Sequence, residues 1–488
     1  MNSPVPVLLF VVPFLGALVC ACLGWAYRPM ARIVTLTTLL AGALLSGWSL
    51  AQVLDHGAVR CAMGGWRPPL GIEWVLDPVS GLAVFLVCGV LLFTVPNLCI
   101  ELRKSASSRE VSALACVLLL LSGLIGMLVS ADLFNVFVHL EVASLSAYAL
   151  VAAGGRGAPR AALRYLIMGS VGASLYLLGV GFVYAATGTL NMAEAAARMP
   201  SVPAPQLVLA GSAFIAIGLA VKMGLFPLHG WMPGAYAKSP AGAASVMAPL
   251  VTKVSAVVML RILFWVFGAA YLRDQRMILE LLGWGGALAM VFGSAMAFAQ
   301  DDFRRLLAYS SVAQMGVVAL GLAVANTSGL TGALLHIAND AVMKAALFVA
   351  AGALALHYGI TRVDDLSRLR GRAPVLNAAI AIAGLSLVGI PPLCGFFGKW
   401  WTLSGALEAG RHAWAALLIL GSLVSAAYVF RILEKLYFAK EELRSVPENG
   451  PRVAAWSCGA LALTIVVLGL FSERVVSWAI VPALPAGL

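Results

Sequence analysis

Apolar runs of about twenty residues recur from residue 5 to residue 480, separated by short polar stretches. As a helix rising ~1.5 Å per residue, a run of that length matches the ~30 Å hydrocarbon core of a bilayer. The strands of a membrane barrel would instead alternate over ~10 residues. The pattern predicts fourteen membrane-spanning helices, at 5–26, 33–53, 78–100, 111–130, 132–153, 161–186, 207–226, 243–267, 277–298, 306–325, 329–356, 375–402, 412–438 and 453–480. The expected fold class is therefore all-α and polytopic, one of the two arrangements that satisfy every backbone group in lipid. The longest polar segments, Leu54–Asp77, Gly188–Gln206 and Ala439–Arg452, are too short for a soluble domain. They hold no phosphate loop or dinucleotide fingerprint, so the expectation is no catalytic site and no cofactor of the chain's own.

Short matches echo along the chain. Val254-Ser255-Ala256 followed by Arg261-Ile262-Leu263 returns as Val424-Ser425-Ala426 followed by Arg431-Ile432-Leu433, an offset of 170 residues. Gly224-Leu225-Phe226 echoes Gly395-Phe396-Phe397 at an offset of 171. Both place spans four to eight over spans nine to thirteen. A five-helix unit, being odd, must insert upside down when repeated, which is the inverted-repeat architecture of transporters. The expected organisation is an N-terminal group over 1–110, a first repeat over 111–267, a second over 277–438, and a loop with the last helix over 439–488. Spans seven and twelve each carry a helix breaker: Pro227, followed by His229, in one, and Pro391 and Pro392 in the other. Proline leaves a carbonyl one turn back without its donor. Read singly, each proline is a plain kink. Two interrupted helices at corresponding places point to a binding site at mid-membrane. His229 reads as a break-site residue bonded to backbone.

Composition agrees: 61% of the residues are hydrophobic and 11% charged. The net charge of +11 is spread over short loops, so it reports topology and not nucleic-acid binding. Loops after odd-numbered spans hold nineteen Lys and Arg, and loops after even-numbered spans hold six. The positive-inside rule then puts the odd loops in the cytoplasm and both termini outside a bacterial inner membrane. Residues 1–7 lack a positive n-region, so the first run is expected to stay as a span. The eight cysteines are scattered without a CxxC pair and read as small hydrophobes, with no metal expected.

Against this background Glu141, Lys222, Lys253, Lys344 and Lys399 stand inside apolar spans. A charge at the bilayer centre costs about 2.5–3.5 kcal/mol on insertion scales, and its default reading is an ion or proton pathway. Lys222 lies one turn before the first break, and Lys399 two turns after the second. His336, Asp340 and Lys344 recur every four residues, one stripe on a helix, with Asp340 placed to pair with Lys344. That stripe reads either as a static pair locking two helices or as a relay. Glu141 facing Lys222 would stay ionised, and moving it would switch the lysine between loaded and unloaded. Lys253 sits mid-span. Arg261 and Arg431, nearer span ends, are expected to snorkel to water. Asp132 reads as a helix cap and His139 as structural.

Four motifs carry a resemblance: Asp132-Leu-Phe-Asn-Val-Phe-Val-His-Leu-Glu141, Lys222-Met-Gly-Leu-Phe-Pro-Leu-His-Gly-Trp231, Arg304-Arg-Leu-Leu-Ala-Tyr-Ser-Ser311 and Gly389-Ile-Pro-Pro-Leu-Cys-Gly-Phe-Phe-Gly-Lys399. With them the chain resembles the antiporter-like subunits shared by respiratory complex I, membrane-bound hydrogenases and Mrp-type cation/proton antiporters, with the D-type Mrp subunits most similar in motif context. The resemblance implies a glutamate–lysine pair at Glu141 and Lys222. It further implies a connecting lysine at Lys253, a relay through His336 and Lys344, and a terminal lysine at Lys399. It also implies other membrane subunits as partners, protons as the moving ion, and Na+ or a redox reaction as the coupled process. Two departures stand out: Asp340 occupies a position where the family often has histidine, and Lys238-Ser-Pro-Ala-Gly replaces the usual acid- and proline-rich stretch.

Overall fold

The computed structural model describes residues 3–104, 109–438 and 451–485. The loop expected over 439–452 lies, for residues 439–450, outside the described residues. The chain is an all-α polytopic membrane protein, and thirteen of the described helices are long and apolar enough to cross a bilayer. In chain order the elements begin with α1 (Val5–Ala26), α2 (Arg28–His56), α3 (Pro78–Lys104), α4 (Glu110–Val129), α5 (Leu133–Ala152), α6 (Ala158–Thr187), the short α7 (Met192–Arg198) and α8 (Pro205–Met223). The broken middle follows: α9 (Met232–Lys238), α10 (Ala241–Met247), α11 (Val251–Arg261) and α12 (Ala269–Asp274). The remainder is α13 (Arg276–Phe298), α14 (Phe303–Val324), α15 (Thr327–Tyr358), α16 (Pro374–Val388), α17 (Cys394–Glu408), α18 (His412–Leu433), α19 (Arg452–Leu470) and the one-turn α20 (Ser472–Val475).

Three features depart from the sequence expectation. Leu54–Asp77, read as loop, contains an antiparallel hairpin of Val59–Ala62 and Glu73–Leu76; four-residue strands are too short to declare a period. Span eight is interrupted at residues 248–250, between α10 and α11, where Pro249 cannot donate to a helical ladder. And the breaks in spans seven and twelve are made by glycine ahead of the prolines. Helix α8 ends on Gly224 (φ +66°) and α16 on Gly389 (φ +92°), left-handed positions that glycine adopts without a Cβ clash. Each end makes the same bonds: Gly224 N–H to Val221 O and Leu225 N–H to Ala220 O, then Gly389 N–H to Ser386 O and Ile390 N–H to Leu385 O. These are Schellman caps. The structure thus matches Gly224 with Gly389, not with Gly395 as the sequence echo suggested.

Elsewhere a second hydrogen-bond pattern recurs at the 170-residue offset. Arg261 donates to Leu128 O and Ser130 O at the end of α4 and to Asp77 Oδ2 at 3.1 Å. Arg431 donates to Phe298 O and Gln300 O at the end of α13 and to Asp301 Oδ1 at 3.0 Å. Asp132 caps α5 by accepting from Asn135 N–H, and Asp302 caps α14 by accepting from Arg305 N–H. Arg261 stays buried and does not snorkel as expected, whereas Arg431 reaches the half-exposed Asp301 at the end of its span. The last carbonyls of a helix lack intrahelical donors, and a guanidinium with five N–H groups supplies several at once.

The centre of the bundle is α11, α14 and α15. Within the protein, 94% of the most apolar window of α14 is buried, against 33% for α1. Lys253 lies on α11, His336, Asp340 and Lys344 on α15, and Lys399 on α17, which packs against α15.

Candidate ion-translocation site

Helix α5 presents Glu141, Ser144 and Tyr148 at spacings of three and four, hence on one face. All three reach one lysine. Lys222 Nζ lies 3.6 Å from Glu141 Oε1, donates to Ser144 Oγ at 2.8 Å and approaches Tyr148 Oη at 3.4 Å. The close approach of Tyr148 depends on Gly169 of α6, where a Cβ would lie 1.9 Å from the phenol oxygen. Lys222 is buried, whereas the Glu141 side chain keeps 28% of its exposure. The Val221 carbonyl at the adjoining break, already bonded by the Gly224 N–H of the cap, also accepts from Trp231 Nε1 at 2.9 Å.

The stripe on α15 is wholly buried, and its pairing differs from the expectation. Asp340 Oδ2 sits 2.8 Å from Lys253 Nζ, across from α11, and not on Lys344. Lys253 also donates to Ala248 O at 3.0 Å, the carbonyl released by the interruption before α11. That second bond fixes the ammonium in front of Asp340. Lys344 turns instead to α14, donating to Leu307 O at 3.3 Å and to Ser310 Oγ. His336 Nε2 meets Gln314 Oε1 at 2.9 Å, with Gly398 packed against the ring. Lys399 donates to Leu387 O at 2.7 Å, Val388 O at 3.1 Å and Ser422 Oγ at 3.2 Å. Leu387 and Val388 lie in the last turn of α16, so the second break supplies the acceptors for Lys399.

The structure therefore gathers Lys253, Asp340, His336, Lys344 and Lys399 into one electrostatic cluster. It leaves Glu141–Lys222 as a separate pair. His229 does not bond backbone through its ring as expected; it packs against Phe226, Phe292 and Tyr309, and Nδ1 has no partner. Pro227 lies exposed, and Pro391 and Pro392 sit beyond the cap of α16. His139 packs between Phe10 and Trp74, as a structural residue would.

Sequence reasoning missed the neutral partners: Ser144, Tyr148, Ser310, Gln314 and Ser422. The spacing of Ser144 and Tyr148 from Glu141 was a usable signal. Ser310 and Gln314, one turn apart on α14, gave a similar one. Ser422 offered none.

A family profile described as NADH:quinone oxidoreductase/Mrp antiporter, transmembrane, matches residues 130–425. The chain belongs to this family. It is 41% identical to the N-type subunit of the NADH-quinone oxidoreductase of Desulforudis audaxviator, over 99% of both chains. It is 30% identical to the D-type subunit of the Na(+)/H(+) antiporter of Bacillus subtilis, over 91% of this chain and 89% of that one. Among solved structures it superposes with a TM-score of 0.90 on a chain of the membrane-bound sulfane sulfur reductase, an archaeal respiratory membrane complex, at 29% identity over 99% of this chain and 97% of that one. The chain is thus an antiporter-like subunit of the type found in Mrp and complex I assemblies.

Proposed function

We propose that this family member carries protons across a bacterial inner membrane as one subunit of a larger complex. Glu141–Lys222 is the switch, Lys253, Asp340, His336 and Lys344 are the central relay, and Lys399 is the exit. The observation that carries the reading is the buried cluster around Asp340, in which each lysine is held by a carboxylate, hydroxyl or freed carbonyl. Such groups hold a cation in place and leave it room to pass a proton to a water. Static packing needs no such series of bases; a proton path does. The two sets of recurring bonds, at the helix breaks and at the arginine clamps, support two inverted five-helix repeats over 111–267 and 277–438. The distribution of Lys and Arg supports both termini outside.

For the driving assembly, the 41% identity to a component of an NADH-quinone oxidoreductase favours a redox-linked complex. The motif context and the 30% identity to a component of a sodium/proton antiporter support Mrp-type exchange as the second reading. Purification of the intact complex separates them. Co-purifying iron–sulfur proteins mark the first, and sodium-driven proton flux without them marks the second. For the chain itself, Lys222→Ala and Lys399→Ala are expected to assemble and lose at least about 100-fold in proton flux, the scale of a lost acid–base group. Flux at the wild-type rate in both variants would leave only a scaffold.

A further inference from the structure

A relay needs continuity, and the charged groups leave a gap. The charged neighbour of Lys222 is Glu141, whereas those of Asp340 are Lys253, Lys344 and His336. Tyrosines fill the interval. Tyr148, which touches Lys222, meets Tyr165 edge-on with ring centres 4.6 Å apart. Tyr165 stacks on Trp231 at 4.1 Å, and Trp231 meets Tyr236 edge-on at 6.0 Å. Trp231 is pinned by its bond to Val221 O, so the row of rings is fixed at its middle. Tyr236 is fully buried, its hydroxyl has no hydrogen-bond partner, and it lies within electrostatic range of Asp340. Tyr165 lies within range of both Tyr148 and Tyr236. A buried hydroxyl left alone is costly, and an internal water with two to four polar partners is the usual remedy.

We propose that Tyr148, Tyr165 and Tyr236 form a phenol bridge that passes protons between Lys222 and the Asp340–Lys253 pair. It rests on the proton-carrying function above. In each step a phenol oxygen accepts a proton from the water or hydroxyl behind it while its own O–H proton leaves to the one ahead. One O–H bond forms, one breaks, and the ring ends neutral with its hydroxyl turned. At the ends an N–H bond of Lys222 breaks and an O–H bond forms on the Asp340 carboxylate, Lys253 keeping its ammonium protons. No electron moves and no co-reactant is needed.

The test uses inverted vesicles containing the whole complex, with a pH-sensitive dye and whichever driving force sustains wild-type flux. Tyr236→Phe and Tyr165→Phe keep the rings and remove the oxygens. They are expected to assemble, melt like wild type and lose at least tenfold in flux. Placing 3,5-difluorotyrosine, a more acidic phenol, at 236 is expected to move the pH profile of flux, which a packing role would leave still. If a phenylalanine variant fails to assemble, the fluorinated protein decides. Wild-type flux in Tyr236→Phe, or an unmoved pH profile, alongside an inactive Lys222→Ala, overturns the bridge and leaves the function standing. Wild-type flux in Lys222→Ala overturns the function itself.

Discussion

At the scale of single residues, every buried lysine of the central cluster is held by oxygens from outside its own helix turn, and this explains why Asp340 chooses Lys253. An i,i+4 pair within one helix gains only about 0.3–0.5 kcal/mol where water competes. Lys253, fixed by Ala248 O, offers an ammonium already ordered and desolvated, while Lys344 has oxygens of its own on α14. Removing one partner of such a pair strands a buried charge. Asp340→Asn is therefore expected to destabilise the protein by about 3–5 kcal/mol, read as a lower melting temperature in detergent. The double variant Asp340→Asn with Lys253→Met should recover much of that loss, because no charge is left alone. If the double loss instead equalled the sum of the singles, the two side chains would not be coupled. Which carboxylate would meet which lysine was not legible in the sequence, since periodicity relates residues on one helix and says nothing about facing helices.

At the scale of elements, the breaks matter more than the helices. Three interruptions release the carbonyls that Trp231, Lys253 and Lys399 take up. The sequence located two of them through their prolines but assigned the wrong cause, because a left-handed glycine ends each helix before the proline is reached. It missed the third, since Pro249 sits in an otherwise unbroken apolar run and hydropathy does not register a lost donor. The all-α polytopic class was legible, being set by bilayer thickness; among the described residues thirteen of the fourteen expected spans correspond to helices long and apolar enough to cross a bilayer, span twelve being split into α16 and α17, and the Val59–Leu76 hairpin was not legible. Gly389 tests the role of these caps. A Cβ there adopts a disfavoured φ and comes within 3.2 Å of Lys399 Cδ. Gly389→Ala is expected to cost about 1–2 kcal/mol and to slow proton flux by displacing Lys399. Gly359, the left-handed cap of α15 with nothing within 4 Å of its Cβ, supplies the control: Gly359→Ala should cost comparable strain and leave flux unchanged. Equal flux in the two variants would separate the cap from the lysine.

At the scale of the whole molecule, the repeated clamps place two chemically identical arginines in unlike surroundings. Arg261 is buried, with two carbonyls and Asp77 as its acceptors. Arg431 keeps 22% of its exposure, and its partner Asp301 stands 53% exposed in the loop between α13 and α14. The hydrogen bond from Arg431, and then the charge of Arg362, hold the Asp301 carboxyl below the usual carboxylate range. A depressed carboxylate contributes its stabilisation above its unfolded value and loses it as pH falls through the folded one. The Arg431–Asp301 pair is thus complete at neutral pH and weakens only in acid, while the bonds from Arg431 to Phe298 O and Gln300 O do not titrate. Water and salt screen an exposed pair of this kind, so its contribution to stability is small. The Arg261 clamp is shielded, and deleting it takes the donor from two carbonyls and from Asp77 Oδ2, while Asp77 Oδ1 keeps its bonds from Ser80, a loss of about 1–3 kcal/mol. Arg261→Ala is therefore expected to lower the melting temperature several times more than Arg431→Ala, and added salt, by weakening the exposed pair in the wild type, should narrow the gap to Arg431→Ala and leave the gap to Arg261→Ala in place. The same sequence echo would then carry most of its weight at one end of the molecule, where the ends of α4 and α11 and the start of α3 are joined. Equal losses in the two variants would mean that burial does not set the strength of the clamps.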